Sequence, residues 1–120
     1  MDMEALSDGK VPANAGEWAA AWLSRVEADA GVAPIGYAST SYLVAMLGQC
    51  PELRDRDWWV AAYPGSQVPP DHMPVVPGLL ASRVVAWQWT GAGTLPGVPG
   101  NVDRDVCPDI APLFVNAPAV

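Results

Sequence analysis

Two strand-and-helix units open this chain and strands without helices close it, and that change of pattern constrains the fold more than any single residue does. Met1 to Leu6 alternates Met1 and Met3 with Asp2 and Glu4. Residues two apart on a strand share a face, so both carboxylates point to one side. A turn around Asp8-Gly9 and Pro12 leads to Asn14, with Glu17 three residues on, a capping-box-like helix start. From Ala15 to Ala30 the residues Trp18, Ala21, Trp22 and Val26 recur at helical spacing, and Gly31 and Pro34 end the run. A short strand, Ile35 to Ala38, precedes Ser39-Thr40 as the cap of a second helix, which runs through Leu47 to a stop at Gly48 and Pro51.

Beyond Asp57 the helical period disappears. Trp58 to Tyr63 and Val84 to Trp89 are aromatic and β-branched runs that read as strands, separated by a Pro-rich loop from Pro64 to Gly78. Gly91 to Gly100 reads as a Gly-Pro loop, Val102 to Val106 as a last short strand, and the tail from Pro108 holds further prolines. Strands alternating with helices imply an α/β fold with a parallel sheet and helices packed outside it. A doubly wound domain needs crossover helices between its later strands too. Their loss favours a barrel closed by irregular connections.

The formal charge of −7 disfavours nucleic acid and anionic membrane as partners, because either is repelled unless a basic patch offsets the global field. The six basic residues are scattered, and Arg54-Asp55-Arg56-Asp57 alternates in sign, as a solvated turn does. A neutral substrate such as a glycan fits this balance. Cys50 and Cys107 match neither a zinc spacing nor a redox pair and read as unpaired, partly buried thiols. His72, the one histidine, reads as a loop residue, and no metal or organic cofactor is implied. Every apolar stretch is broken before membrane-spanning length, and no basic segment followed by an apolar run opens the chain, so neither a signal peptide nor a transmembrane helix is expected.

Trp87-Gln88-Trp89-Thr90, Gly93, Pro96-Gly97-Val98, Gly100, Val102-Asp103 and Asp105 resemble the C-terminal signature of glycoside hydrolase family 25, the lysozyme-type N-acetylmuramidases. Upstream, Trp59-Val60-Ala61-Ala62-Tyr63 is similar to that family's aromatic strand, Pro34-Ile35-Gly36-Tyr37-Ala38-Ser39 to an earlier one, and Asp2-Met3-Glu4 to its catalytic Asp-x-Glu strand. Order and rough spacing agree for all four. The resemblance implies an incomplete TIM-like barrel, the second half of an irregular eight-stranded β/α barrel. It implies a partial catalytic domain over residues 1–107, followed by a Pro-rich tail over 108–120. A complete barrel needs roughly 200 residues or more, and this chain has 120.

The resemblance further implies a peptidoglycan hydrolase of the phage-type lysis kind, cutting between N-acetylmuramic acid and N-acetylglucosamine with retention. Such an enzyme is made in the cytoplasm and acts on the wall, or is part of a longer exported protein. A non-catalytic wall-binding remnant and one piece of a split hydrolase are the rival readings. The partners expected are peptidoglycan glycan strands, together with an N-terminal complementing chain or a second copy.

Glycosidic cleavage needs a proton for the leaving oxygen and stabilisation of the positive charge growing at the anomeric carbon. Glu4 is assigned as acid and then base. Asp2 either orients the substrate acetamide as it attacks or is itself the nucleophile, and spacing does not choose between them. Tyr37, Tyr63, Trp87 and Trp89 offer aromatic faces to sugar rings. Because Trp87 and Trp89 share one strand face and Gln88 takes the other, either the tryptophans or Gln88 faces the cleft. Asp103 either shapes that cleft or serves a turn beside Asn101. Trp18, Trp22 and Trp59 read as core or helix-to-sheet packing, and Trp58 is left open.

Overall fold

The computed structural model describes residues 1–4, 8–65 and 71–113. Ala5 and Leu6 of the expected first strand, residues 66–70 of the Pro-rich loop and residues 114–120 of the tail lie outside the described residues.

Among the described residues five strands form one sheet in sequence order: β1 (Asp2–Met3), β2 (Gly36–Ser39), β3 (Trp58–Ala61), β4 (Val84–Leu95) and β5 (Val98–Val106). The first four are parallel, and β5 returns antiparallel to β4. The mixed α/β class therefore agrees with the sequence reading, whereas the all-parallel sheet does not. The reason is local. Gly91 to Gly100 is not a loop: β4 continues to Leu95 and a two-residue turn, Pro96 and Gly97, brings Val98 opposite it. Proline presets the first corner of that turn and Gly97, at φ 84°, takes the left-handed second corner, so the chain reverses at once.

Helix α1 (Ala15–Ala30) has the expected bounds, and the Gly31 N–H meets the Glu27 carbonyl at 2.9 Å to close it. Its start differs from expectation, because Asn14 makes no side-chain capping bond. Gln49 does that work from the next helix: its Oε1 accepts the Gly16 N–H at 2.7 Å and its Nε2 donates to the Pro12 carbonyl at 2.9 Å. The same contacts explain why helix α2 (Thr40–Gln49) runs past Gly48 rather than stopping there. Ser39 caps α2 as expected, its Oγ accepting the Tyr42 N–H at 3.4 Å.

Both helices pack on one face of the sheet. Ala19 and Leu23 of α1, Leu43, Met46 and Leu47 of α2, and Met3, Ala38, Trp58 and Val60 of the strands form one buried cluster. Trp58 is fully buried within it, and its indole N–H donates to the Leu53 carbonyl at 3.1 Å, so the ring carries no unsatisfied donor into the core. Its plane lies against Gly36, where a Cβ would stand 2.4 Å from the ring; only glycine admits the approach.

Three sequence expectations fail. Trp18 is 55% exposed rather than core, and Trp59 is 38% exposed on the opposite side of the sheet, while Trp22 is partly buried as expected. The alternating charges at Arg54 to Asp57 are not a free turn. Pro51–Asp55 forms a 3-10 turn, Arg56 pairs with Glu27 and bonds Ser24, and Arg83 pairs with Asp57 at 3.0 Å. The thiols are free, with Cys50 buried and Cys107 half-buried. His72 is exposed in its loop, and among the described residues no helix is long and apolar enough to cross a membrane.

Candidate active site

The sheet face away from the helices is where the polar residues gather, and strand register explains how. Asp2 pairs with Tyr37, Tyr37 with Trp59, and Trp59 with Ala86, so one row crosses four strands. The next row on that face joins Ser39, Ala61, Gln88 and Asp105. Because side chains alternate, the neighbouring row of Met3, Ala38 and Val60 points into the core. β1 ends at Met3, so the expected strand stops short of Glu4, but Asp2 and Glu4 still flank buried Met3 and are both exposed.

These rows line an open cavity of about 670 Å³ that contains Asp2, Glu4, Tyr37, Trp59, Gln88, Asp103 and Asp105. Four carboxylates meet there, with no lysine or arginine among the described lining residues. The aromatic part is fixed by edge-to-face packing of Tyr37 on Trp59, with centroids 5.3 Å apart at 75°. The Trp59 indole N–H donates to Asp105 Oδ1 at 2.8 Å. Gln88 is almost fully buried at the floor, and its Oε1 accepts two phenols, from Tyr37 at 2.5 Å and Tyr63 at 2.9 Å. A second cavity of about 630 Å³ adjoins the first through shared Glu4 and Tyr37, and it adds Ser39, Thr40 and Tyr63.

Burial, reinforced by Tyr63 and by the carboxylates of Glu4 and Asp2, pushes the Tyr37 phenol up to about 12. Tyr37 is thus a neutral hydroxyl throughout the physiological range. The Asp105 carboxyl is also raised, by burial first and by Asp103 as well, while the Trp59 hydrogen bond works in the opposite direction.

The structure brings Asp2, Glu4, Tyr37, Gln88 and Asp103 into one cavity and puts Tyr63 in the adjoining one. It does not bring Trp87 and Trp89 there. Both are buried and line neither cavity, and the Trp87 indole donates to the Ala62 carbonyl at 2.7 Å. Of the two alternatives left open by alternation, Gln88 is the residue on the cleft. Trp59 and Asp105 are lining residues the sequence reading assigned no such role. Their signal was present in parity: adjacent Trp58 and Trp59 cannot both face the core of a strand, and Asp105 lies two residues from Asp103. Among the described residues no group of three side chains is arranged to hold a metal ion.

The sequence profile of glycosyl hydrolases family 25 matches residues 1–98. This chain belongs to that family. Among solved structures, it is similar to the bacterial lysozyme from Streptomyces coelicolor, with a TM-score of 0.69 and 20% identity over 90% of this chain and 49% of that one. It is also similar to the Clostridium perfringens spore cortex lytic enzyme SleM, with a TM-score of 0.69 and 25% identity over 89% of this chain and 35% of that one. The family 25 chain described here therefore spans about half and about a third of the lengths of those two proteins. No curated protein matches it.

Proposed function

We propose that this family 25 chain carries the catalytic carboxylates of an N-acetylmuramidase that cleaves peptidoglycan between N-acetylmuramic acid and N-acetylglucosamine. The observation that carries this reading is the common exposure of Asp2 and Glu4 on either side of buried Met3, both opening onto the cavity that holds Tyr37, Trp59 and Gln88. Glu4 delivers its proton to the leaving glycosidic oxygen and then draws one from water, with retention at the anomeric carbon. Asp2 stabilises the other face of the reacting sugar, orienting its acetamide or attacking directly. Asp103 and the Tyr37 hydroxyl border the same cavity and shape it around a neutral ring. A sugar face against Trp59 and Tyr63 supplies apolar contact without charge.

Two helices on one sheet face and a polar cavity on the other support reading the chain as the second half of an irregular TIM-like barrel, with the helices on its outside. We assign residues 1–107 to that domain and 108–120 to a Pro-rich tail. The protein is made in the cytoplasm or exported within a longer polypeptide and meets its substrate at the wall, in the manner of a lysis enzyme.

A second reading is a glycan-binding remnant or one piece of a split hydrolase, and the Tyr37–Trp59 aromatic pair on the cavity supplies the binding face it needs. Incubating the chain with purified peptidoglycan separates the two. Release of new reducing ends that Glu4→Gln abolishes supports the muramidase. Sedimentation with the wall and no release supports the remnant or split piece, and release restored by adding a family 25 N-terminal segment singles out the split piece.

A further inference from the structure

In the carboxylate-lined cavity almost every side-chain donor is already committed. The Tyr37 and Tyr63 hydroxyls both donate to Gln88 Oε1, the Trp59 indole donates to Asp105, and the Cys107 thiol faces the Val85 and Asp109 carbonyls at 3.3 and 3.1 Å. Asp2, Glu4, Asp103 and Asp105 are acceptors when ionised. One donor remains. Gln88 Oε1 is occupied by two phenols, and among the described residues no acceptor meets its Nε2, although the side chain is 4% exposed and lines the cavity floor. Held this way, the amide gives its oxygen to both phenol O–H groups and leaves its two N–H groups for other partners.

A sugar hydroxyl entering the cavity finds carboxylates ready to accept from it. A carbonyl oxygen accepts only, so it needs a donor, and an anionic group would meet four carboxylates. We propose that Gln88 determines specificity for an N-acetylated sugar: its Nε2 donates to the acetamide carbonyl oxygen of the ring seated in the cleft. Tyr37 and Tyr63 act as positioning residues that hold the amide the right way round. This inference rests on the glycan reading above and adds the atom that recognises the N-acetyl group.

Two neutral tetrasaccharides test it, chitotetraose and cellotetraose, which differ in bearing an acetamide or a hydroxyl at the same ring position. Titration calorimetry of the 120-residue chain is expected to show chitotetraose binding roughly tenfold more tightly, the scale of one well-made hydrogen bond in a buried site. Gln88→Glu keeps the oxygen that both phenols need and removes the N–H donors. It is expected to erase the preference by weakening chitotetraose roughly tenfold while moving cellotetraose by less than about threefold. A preference that survives in Gln88→Glu overturns the inference and leaves the glycan reading standing. Failure of the unsubstituted chain to bind either sugar overturns both. Should the variant not fold, by near-ultraviolet circular dichroism, the side-chain amide signals of Gln88 in the unsubstituted chain decide instead. They are expected to shift with chitotetraose and not with cellotetraose, and a shift with both or with neither overturns the assignment.

Discussion

The Trp59 indole N–H and Asp105 Oδ1, 2.8 Å apart, join β3 to β5 across the width of β4. The bond holds an aromatic ring upright beside Tyr37 and sets a carboxylate at the cavity wall, so one contact serves both the stacking surface and the charge of the site. It also favours the ionised form of Asp105, against the larger opposing effect of burial.

Because the Asp105 pKa is raised on folding, the stabilisation linked to its protonated form is complete below the unfolded carboxylate value and is lost as pH rises through the folded value. At neutral pH the charge is therefore a burden. Asp105→Asn keeps an acceptor for Trp59 and removes the charge beside Asp103. We expect its melting temperature to exceed that of the unsubstituted chain by roughly 1–3 °C at pH 7 and to match it at roughly pH 3. Thermal melts at both values check this, and an advantage of equal size at both would contradict the electrostatic cause.

Gly36→Ala is expected to destabilise by roughly 1–3 kcal/mol, because its new Cβ would stand 2.4 Å from the fully buried ring of Trp58, which has no free side to move into. Urea unfolding followed by tryptophan fluorescence measures it. A cost below about 0.5 kcal/mol would show that the ring repacks freely.

Tyr63 is 60% exposed and contributes its hydroxyl to Gln88. Tyr63→Ala should weaken oligosaccharide affinity by roughly fivefold to fiftyfold while lowering the melting temperature by only about 2–4 °C. Parallel melts and glycan titrations compare the two. A large loss of melting temperature with unchanged affinity would make the residue structural.

Much of this arrangement was legible in the chain itself, wherever local chemistry decided the outcome. Helix α1 and the Ser39 cap follow from period and capping chemistry, and the shared face of Asp2 and Glu4 follows from strand parity. What was not legible depends on partners distant in sequence. Gln49 replaces Asn14 as the cap of α1 from 33 residues away, and no local pattern announces it. The antiparallel β5 was hidden because Pro96-Gly97 looks the same in a loop as in a hairpin turn until Leu95 meets Val98. Trp87 and Trp89 carry the aromatic character of a sugar platform, but register turned them to the buried side and left Gln88 on the cleft.

Among the described residues the sheet ends at β1 on one side and β5 on the other. Edge strands present unpaired backbone groups that invite pairing, and the net charge of −7 slows association without satisfying them. The isolated 120-residue chain is expected to self-associate at micromolar concentrations. Light scattering tests this, and a strictly monomeric, sharply melting species would mean that both edges are covered in solution.

The most direct measurement of the central claim is the identity of the sugar at the new reducing ends when purified peptidoglycan is digested by the natural-length protein carrying this sequence. Borohydride reduction and hydrolysis of the digest should yield reduced muramic acid, and Glu4→Gln should lower that yield by at least about a hundredfold while wall binding persists. Reduced glucosamine in its place, or an undiminished yield from the Glu4 variant, would contradict the assignment of this cleft to muramidase chemistry.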